Sequence, residues 1–544
     1  MRNNRESMDI ANAFKSTFRI IFGSECNVQL EELRDYLWKY HYPSFKKKSS
    51  LSNKDVIVSS DKYCKEAKFV AYNEIDFNKK YMLNINEIKD IDSIIKALSD
   101  RFYYTGNKIL GNSKFVEESD TIINSFYVKD SHNISDSKYM AYCMNARKGC
   151  EYCFGSSHTF GNKYSIHTVL LLDCTRCFES YYSIKCSDLF FTFNCNGTMH
   201  AMFSFNLRSK RYCIGNLELD KDKYFALRKK LVDESREYLE KNKSFYSIFE
   251  IGQKEKPNFS DLCIKPSPPE PMGNPTIVDS AFRSTCRIIF GKELGSLISY
   301  ENYLTTIIEK PKLLKTLFGN KICFSYVSMM YRYIPESRLV NSDEANQLGK
   351  ITIHANEKDT LATILEKISK IAFYCGDYTE GKNINTVESH WLFNSINAFR
   401  TLAPSESKNC SYSSLSLSSE SIFGSYRTIR CKFCMNCHYL IDCARCFEVS
   451  DSNNCLDCYF CHNCENLVEC MFCFNAKAKQ YAIGNVEIGK EDYMKIKKLV
   501  LSEITAKLER DKQLDLNIYN LGCYCKRYTD PLKKRGSHIR NLSR

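Results

Sequence analysis

Cysteine recurs at every third position along one stretch of this 544-residue chain. From Cys431 the series runs through Cys434, Cys437, Leu440, Cys443, Cys446, Val449, Ser452, Cys455, Cys458, Cys461, Cys464, Leu467 and Cys470 to Cys473. Eleven of these fifteen positions are cysteine, and none is charged or aromatic. Paired Cys-x-x-Cys thiolates are the usual ligands of structural zinc, which takes four in a tetrahedron. A 27-residue repeat relates Cys434-Met435-Asn436-Cys437, Leu440, Cys443 and Cys446-Phe447 to Cys461-His462-Asn463-Cys464, Leu467, Cys470 and Cys473-Phe474. If that repeat is one coil, Cys443 and Cys446 meet Cys470 and Cys473 in one candidate zinc site. Cys434 and Cys437 then meet Cys461 and Cys464 in a second. Cys455, Cys458, Cys461 and Cys464 also imitate a ferredoxin run without its terminal Cys-Pro. The competing reading is packing, with cysteine as a small hydrophobe.

Basic and aromatic residues interleave further on, at Lys477, Lys479 and Tyr481, and again at Arg208, Lys210 and Tyr212. Such a pattern can hold phosphates and stack bases; it also suits an edge strand whose lysines discourage aggregation. A basic tail adds Lys533, Lys534 and Arg535 to the nucleic-acid candidates. Asp442, Arg445 and Glu448 recur as Asp173, Arg176 and Glu179, one residue off the cysteine phase, which places them on one outer strip. They read as a salt-bridge ladder or, with a paired-carboxylate cleft, as a polysaccharide-processing site. No P-loop, GxGxxG, nucleophile elbow or HExxH motif appears.

The element that positions these residues must have a period near three. An extended strand gives two, and a helix is disfavoured by Asn, Asp and Ser at this density. Short strands broken by regular corners give other periods, as in β-solenoids. A position class restricted to small side chains points into a confined interior. The middle segment is therefore predicted to be a small parallel β-solenoid lined by Cys, Ser and Thr.

Everything occurs twice. Ala13-Phe14-Lys15-Ser16-Thr17 returns 268 residues later as Ala281-Phe282-Arg283-Ser284-Thr285, and Asp173-Cys174 returns 269 later as Asp442-Cys443. The copy-one counterparts of the grid run Asn162, Ser165, Thr168, Leu171, Cys174, Cys177, Ser180, Ser183, Cys186, Leu189, Thr192, Cys195, Thr198, Ala201 and Ser204. There Cys174 and Cys177 would face Ala201 and Ser204, which complete no metal site. The fold class is α+β, a tandem duplication of one unit. Copy one divides into a mixed α/β part (1–129), a solenoid (130–217) and a helix (218–252). A linker at 253–277 holds six of the chain's eleven prolines. Copy two divides into 278–402, 403–486 and 487–511, followed by the tail 512–544. Helices are expected at Phe14–Phe22, closed by Gly23, at Ile91–Tyr104 and Leu361–Tyr374, and at Asp222–Asn242 and Lys490–Arg510.

Cys470-Met471-Phe472-Cys473-Phe474-Asn475, then Lys479, Tyr481 and Ile483-Gly484-Asn485 before a charged helix, resembles uncharacterised cysteine-rich proteins of archaea and uncultured bacteria. The likeness covers about a third of each unit. Copy one departs from it, with Ser204 in place of Cys473. The resemblance implies no activity.

The net charge of +13 favours acidic partners such as nucleic acid. The first residues carry no signal-peptide core and the apolar runs are too short to span a membrane, so a cytoplasmic protein is expected, its cysteines thiols or metal ligands rather than disulfides. The composite expectation is a non-enzymatic binding or scaffold protein that presents duplicated surfaces to nucleic acid or a larger assembly. A zinc or iron–sulfur protein and a carbohydrate-active enzyme are the alternatives.

Overall fold

The computed structural model describes residues 9–253, 262, 264–265, 273–324 and 328–523. The class is α+β. Two long parallel ladders dominate it. In the first, Glu151 pairs with Lys163, Lys163 with Thr175, Thr175 with Ser187, Ser187 with Met199 and Met199 with Arg211. In the second, Ile384 pairs with Ile396, then Lys408, Glu420 and Lys432. Each partner lies 12 residues on, so the chain completes one turn about a common axis every 12 residues. The 27-residue offset is thus two turns plus one three-residue side, not one coil.

The turn has four sides because every third residue adopts the left-handed conformation. Such residues recur without interruption from Tyr152 to Tyr212 and from Asn385 to Tyr481. The inward-facing residue directly follows each one, which makes the period-three interior a consequence of the corners. Non-glycine residues in this region cost about 1–2 kcal/mol each. Bonds between stacked corners offset that cost. Asn385 donates to Asn397 and Asn397 to Asn409, each at 2.9 Å, and Asn194 donates to Asn206 at 2.8 Å.

The ladders start earlier than the sequence indicates, at Ile109 and Thr379. In the first ladder one extra residue hides the early turns: Lys138 pairs with Glu151, 13 positions on, which shifts the phase near Gly149. Both ladders stop at a tight antiparallel return, Arg211–Ile214 with Leu217–Glu218 and Lys477–Ile483 with Val486–Glu487. Helices Lys221–Asn242 and Lys490–Asp511 follow. Gly23 and Gly291 end the helices Ile10–Phe22 and Pro275–Phe290 in the left-handed region. The expected helices at 91 and 361 are shorter, Ile91–Ala97 and Leu361–Lys367. Tyr103–Gly106 instead pairs with Lys68–Ala71 as parallel strands, as its aromatic and β-branched residues favour.

The packing crosses between halves. Segment 45–106 leaves the first ladder and covers the second: Tyr104 Oη donates to the Ile518 carbonyl at 2.8 Å, Asn475 Nδ2 to Tyr103 O at 2.9 Å, and Ile91 N to Glu503 at 3.0 Å. Segment 312–376 returns the arrangement on the first ladder. Tyr374 Oη donates to Ile248 O at 2.5 Å, Asn206 Nδ2 to Phe373 O at 3.0 Å, and Leu361 N to Glu234 at 2.6 Å. The two principal cores divide along the same lines. Buried Lys108 adds a further tie, 3.1 Å from Asp451 and 3.6 Å from Asp120. Cys64 and Cys523 form a disulfide, against the expectation of thiols or metal ligands; every other described cysteine is free. Among the described residues no helix is long and apolar enough to cross a membrane.

The returns are closely covered. A Cβ on Gly215 (φ 57°) would lie 2.1 Å from Ile353, and one on Gly484 (φ 53°) would lie 2.2 Å from Leu98. Gly215→Ala and Gly484→Ala should each cost about 2–4 kcal/mol, the left-handed penalty plus overpacking. Gly149→Ala, with a φ of 77° and open space around it, should cost only about 1–2 kcal/mol. Urea midpoints of the three variants check the ordering.

Candidate functional site

The grid cysteines are buried at 2% exposure or less and form four inward columns. One column holds Cys434, Cys446, Cys458 and Cys470, and the pairing of Cys458 with Cys470 fixes its register. Cys431, Cys443 and Cys455 form another, in which Cys455 N donates to Cys443 Sγ at 3.4 Å. Cys437, Cys461 and Cys473 belong to a third and Cys464 to a fourth.

This register separates the expected zinc quartets. Cys443 and Cys446 lie two turns from Cys470 and Cys473, with the Cys455–Cys458 turn between them. Cys434 and Cys437 are likewise two turns from Cys461 and Cys464. Two turns span about 9.5 Å, whereas sulfurs sharing one zinc lie within about 4.6 Å of each other. Neither quartet converges. The structure instead brings the thiols of Cys434, Cys443 and Cys458, on the neighbouring turns and side, around Cys446, and their hydrogen-bonding pulls its pKa down. Burial holds Cys434, Cys458 and Cys473 well above the usual thiol range. Among the described residues no three Cys, His, Asp or Glu side chains are grouped as a metal would require.

The thiols have a definite structural task. Cys446 Sγ donates to the carbonyls of Ala444 at 3.4 Å and Cys455 at 3.6 Å. Cys464 Sγ meets those of His462 at 3.3 Å and Cys473 at 3.4 Å. Ser407 Oγ makes the same pair of bonds, to Ser405 O at 2.9 Å and Ser416 O at 3.0 Å, and accepts Ser419 N at 3.1 Å. Thiol and hydroxyl therefore satisfy the same backbone groups, which is why cysteine in one copy can stand where serine or threonine stands in the other.

The outer corners carry ion pairs in the 12-residue register. Arg430 clamps Asp442 through two bonds of 2.6 Å, Arg445 clamps Asp457 at 2.7 and 2.6 Å, and Arg176 clamps Asp188 at 2.6 and 2.7 Å. Glu448 is not on the outer strip. It is fully buried, accepting Tyr303 Oη at 2.9 Å, Asn436 Nδ2 at 3.2 Å and Ile518 N at 2.9 Å. Glu179 is its counterpart: it meets Tyr36 Oη, Tyr181 Oη at 2.5 Å and His167 Nδ1 at 2.6 Å. No carboxylate of this set faces another across a cleft.

The nucleic-acid candidates occupy matching last coils and are mostly engaged. Lys477 pairs with Glu465 at 2.9 Å and lies 4.6 Å from the Phe77 ring centre; Lys479 pairs with Glu487 at 3.7 Å; Lys210 pairs with Glu218 at 2.9 Å. Arg208 binds the Asn194 carbonyl at 2.6 Å. Tyr212 stacks on His200, and Tyr481 packs against Tyr493. Lys533, Lys534 and Arg535 lie outside the described residues. Comparison of the chain with protein-family models, curated proteins and solved structures finds no match.

Two outcomes follow. Cys446→Ser should change stability by less than about 1.5 kcal/mol and leave metal content unchanged, because a hydroxyl finds the same carbonyls; Cys446→Leu should cost about 1–3 kcal/mol by overpacking. Chemical denaturation with elemental analysis reads both. Burial raises the Glu448 pKa to about 7, above its value in the unfolded chain. The native state then binds the extra proton, so this group's contribution falls as pH rises from about 4.5 to 7. Glu448→Gln should flatten that dependence and stabilise the protein at pH 8 by up to about 3 kcal/mol. Unfolding curves from pH 4.5 to 8 check it.

Proposed function

We propose that this chain is a non-enzymatic binding scaffold made of two copies of one unit, each with a mixed α/β part, a Cys/Ser/Thr-lined parallel β-solenoid and a closing helix. The observation that supports it is the repetition of the cross-half contacts. Tyr104 with Ile518, Asn475 with Tyr103 and Ile91 with Glu503 recur as Tyr374 with Ile248, Asn206 with Phe373 and Leu361 with Glu234. Each unit completes the other, so two equivalent faces are held at a fixed separation. A rigid pair of like faces suits a repetitive partner, because the second engagement becomes intramolecular. The free thiols of the interior fit a reducing, cytoplasmic setting.

Nucleic acid is the partner class that the net charge favours. Because Lys477, Lys479 and Lys210 already pair with acids, this reading assigns the nucleic-acid contact to the basic run Lys526–Arg544. Fluorescence anisotropy with a labelled single strand at low salt tests it. The intact chain should bind, deletion of 526–544 should weaken binding and flatten its salt dependence, and Lys477→Ala with Lys479→Ala should change little. No binding by the intact chain at low salt would leave a protein assembly as the partner and remove nucleic acid. A metal-binding reading has one foothold, the thiols around Cys446, and elemental analysis of the intact protein decides it.

A further inference from the structure

Between the two ladders lies a cleft of about 380 Å³. One wall comes from the first half, with Asn145, Arg147 and His158. The other comes from the second, with Trp391 and Arg427. Neither half builds it alone.

The polar lining is rich in unmatched donors. Arg427 is 3% exposed; its Nη1 reaches Asn145 Oδ1 while its Nη2 has no partner. Asn145 passes its amide to His158 Nε2 at 3.0 Å, which leaves the proton on His158 Nδ1, also buried and unpartnered. The indole nitrogen of Trp391 is a third buried donor without an acceptor. Arg147 lines the same space and makes no ion pair or side-chain hydrogen bond. Burial, and after it the charge of Arg427, pull its guanidinium down to about 9. Lys148 and Arg430 also line the cleft, but Arg430 is committed to Asp442. The acids present are Asp173 and Glu406, the latter accepting Ser418 Oγ at 3.2 Å.

A buried guanidinium at Arg427 that repels the half-exposed Arg147 and keeps an unpartnered N–H group is unfavourable unless an acceptor joins them. Around them the surface is apolar, from Phe160, Leu172, Phe393, Leu417 and Ile429. We propose that this cleft is a binding site for a small organic anion, a phosphate or carboxylate carried on a flat apolar body, with Arg147 and Arg427 holding the charged group and Trp391 beside the body. A bidentate guanidinium contact suits either head group. The volume lies at the low end for small-molecule sites, which sets the ligand's size.

The test uses the full chain. Trp38 and Trp391 are its two tryptophans, so Trp38→Phe leaves Trp391 as the reporter. Phenyl phosphate, benzoate and inorganic phosphate are titrated at low salt, following tryptophan fluorescence and melting temperature. Phenyl phosphate or benzoate should saturate the signal and raise the melting temperature, with inorganic phosphate weaker by about tenfold or more for want of the apolar body. The pair that binds more tightly identifies the head group. Arg147→Met should abolish that response while leaving the unliganded protein at least as stable, since it removes an uncompensated charge. Arg147→Lys should restore part of it. The inference fails if no organic anion binds below millimolar concentration. It also fails if Arg147→Met binds as the parent does, or if Arg147→Met destabilises the unliganded protein.

Discussion

The left-handed residue at every third position is the constraint on which the rest of the molecule depends. It makes each side three residues long and each turn 12, so the four inward columns enclose a space too narrow for large side chains. That narrowness selects Cys, Ser, Thr, Ala and compact aliphatics. Amides and carbonyls left at the corners then need partners, and a thiol or hydroxyl serves both, as Ser407 and Cys443 show. The cysteine density is thus explained by geometry and hydrogen bonding before any metal is considered.

The same winding leaves each ladder with a last turn to be covered. The chain solves this across the halves rather than within them. Gly215 admits Ile353 and Gly484 admits Leu98, and both glycines are needed because the return is left-handed and the covering side chain sits where a Cβ would be. Lys108 between Asp120 and Asp451 is a buried ionic triad that ties the halves together. The cleft between the ladders is a product of that meeting.

Much of this was legible in the residues. The period-three restriction pointed to corners and a confined interior, and the recurrence of Ala13–Thr17 at Ala281–Thr285 pointed to matching elements. The coil length was not legible, because two turns plus one side brings similar residues into register at 27 and cysteine, serine and leucine substitute freely along a column. The early turns of copy one were hidden by the extra residue near Gly149, which moves the series out of phase. Glu448 looked like a neighbour of Asp442 and Arg445 on the surface, since spacing alone does not show that Tyr303 and Ile518 close over that corner. Nothing in the spacing joins Arg147 to Arg427; they meet only because the halves interlock.

Separating the halves shows whether each depends on the other. Residues 1–260 and 261–544 are expressed as two chains, together and singly, in reductant to open Cys64–Cys523. Together they should copurify as a one-to-one complex that unfolds in one transition, while each alone should fail to remain a stable monomer. Two independently stable monomers that do not associate would contradict the account.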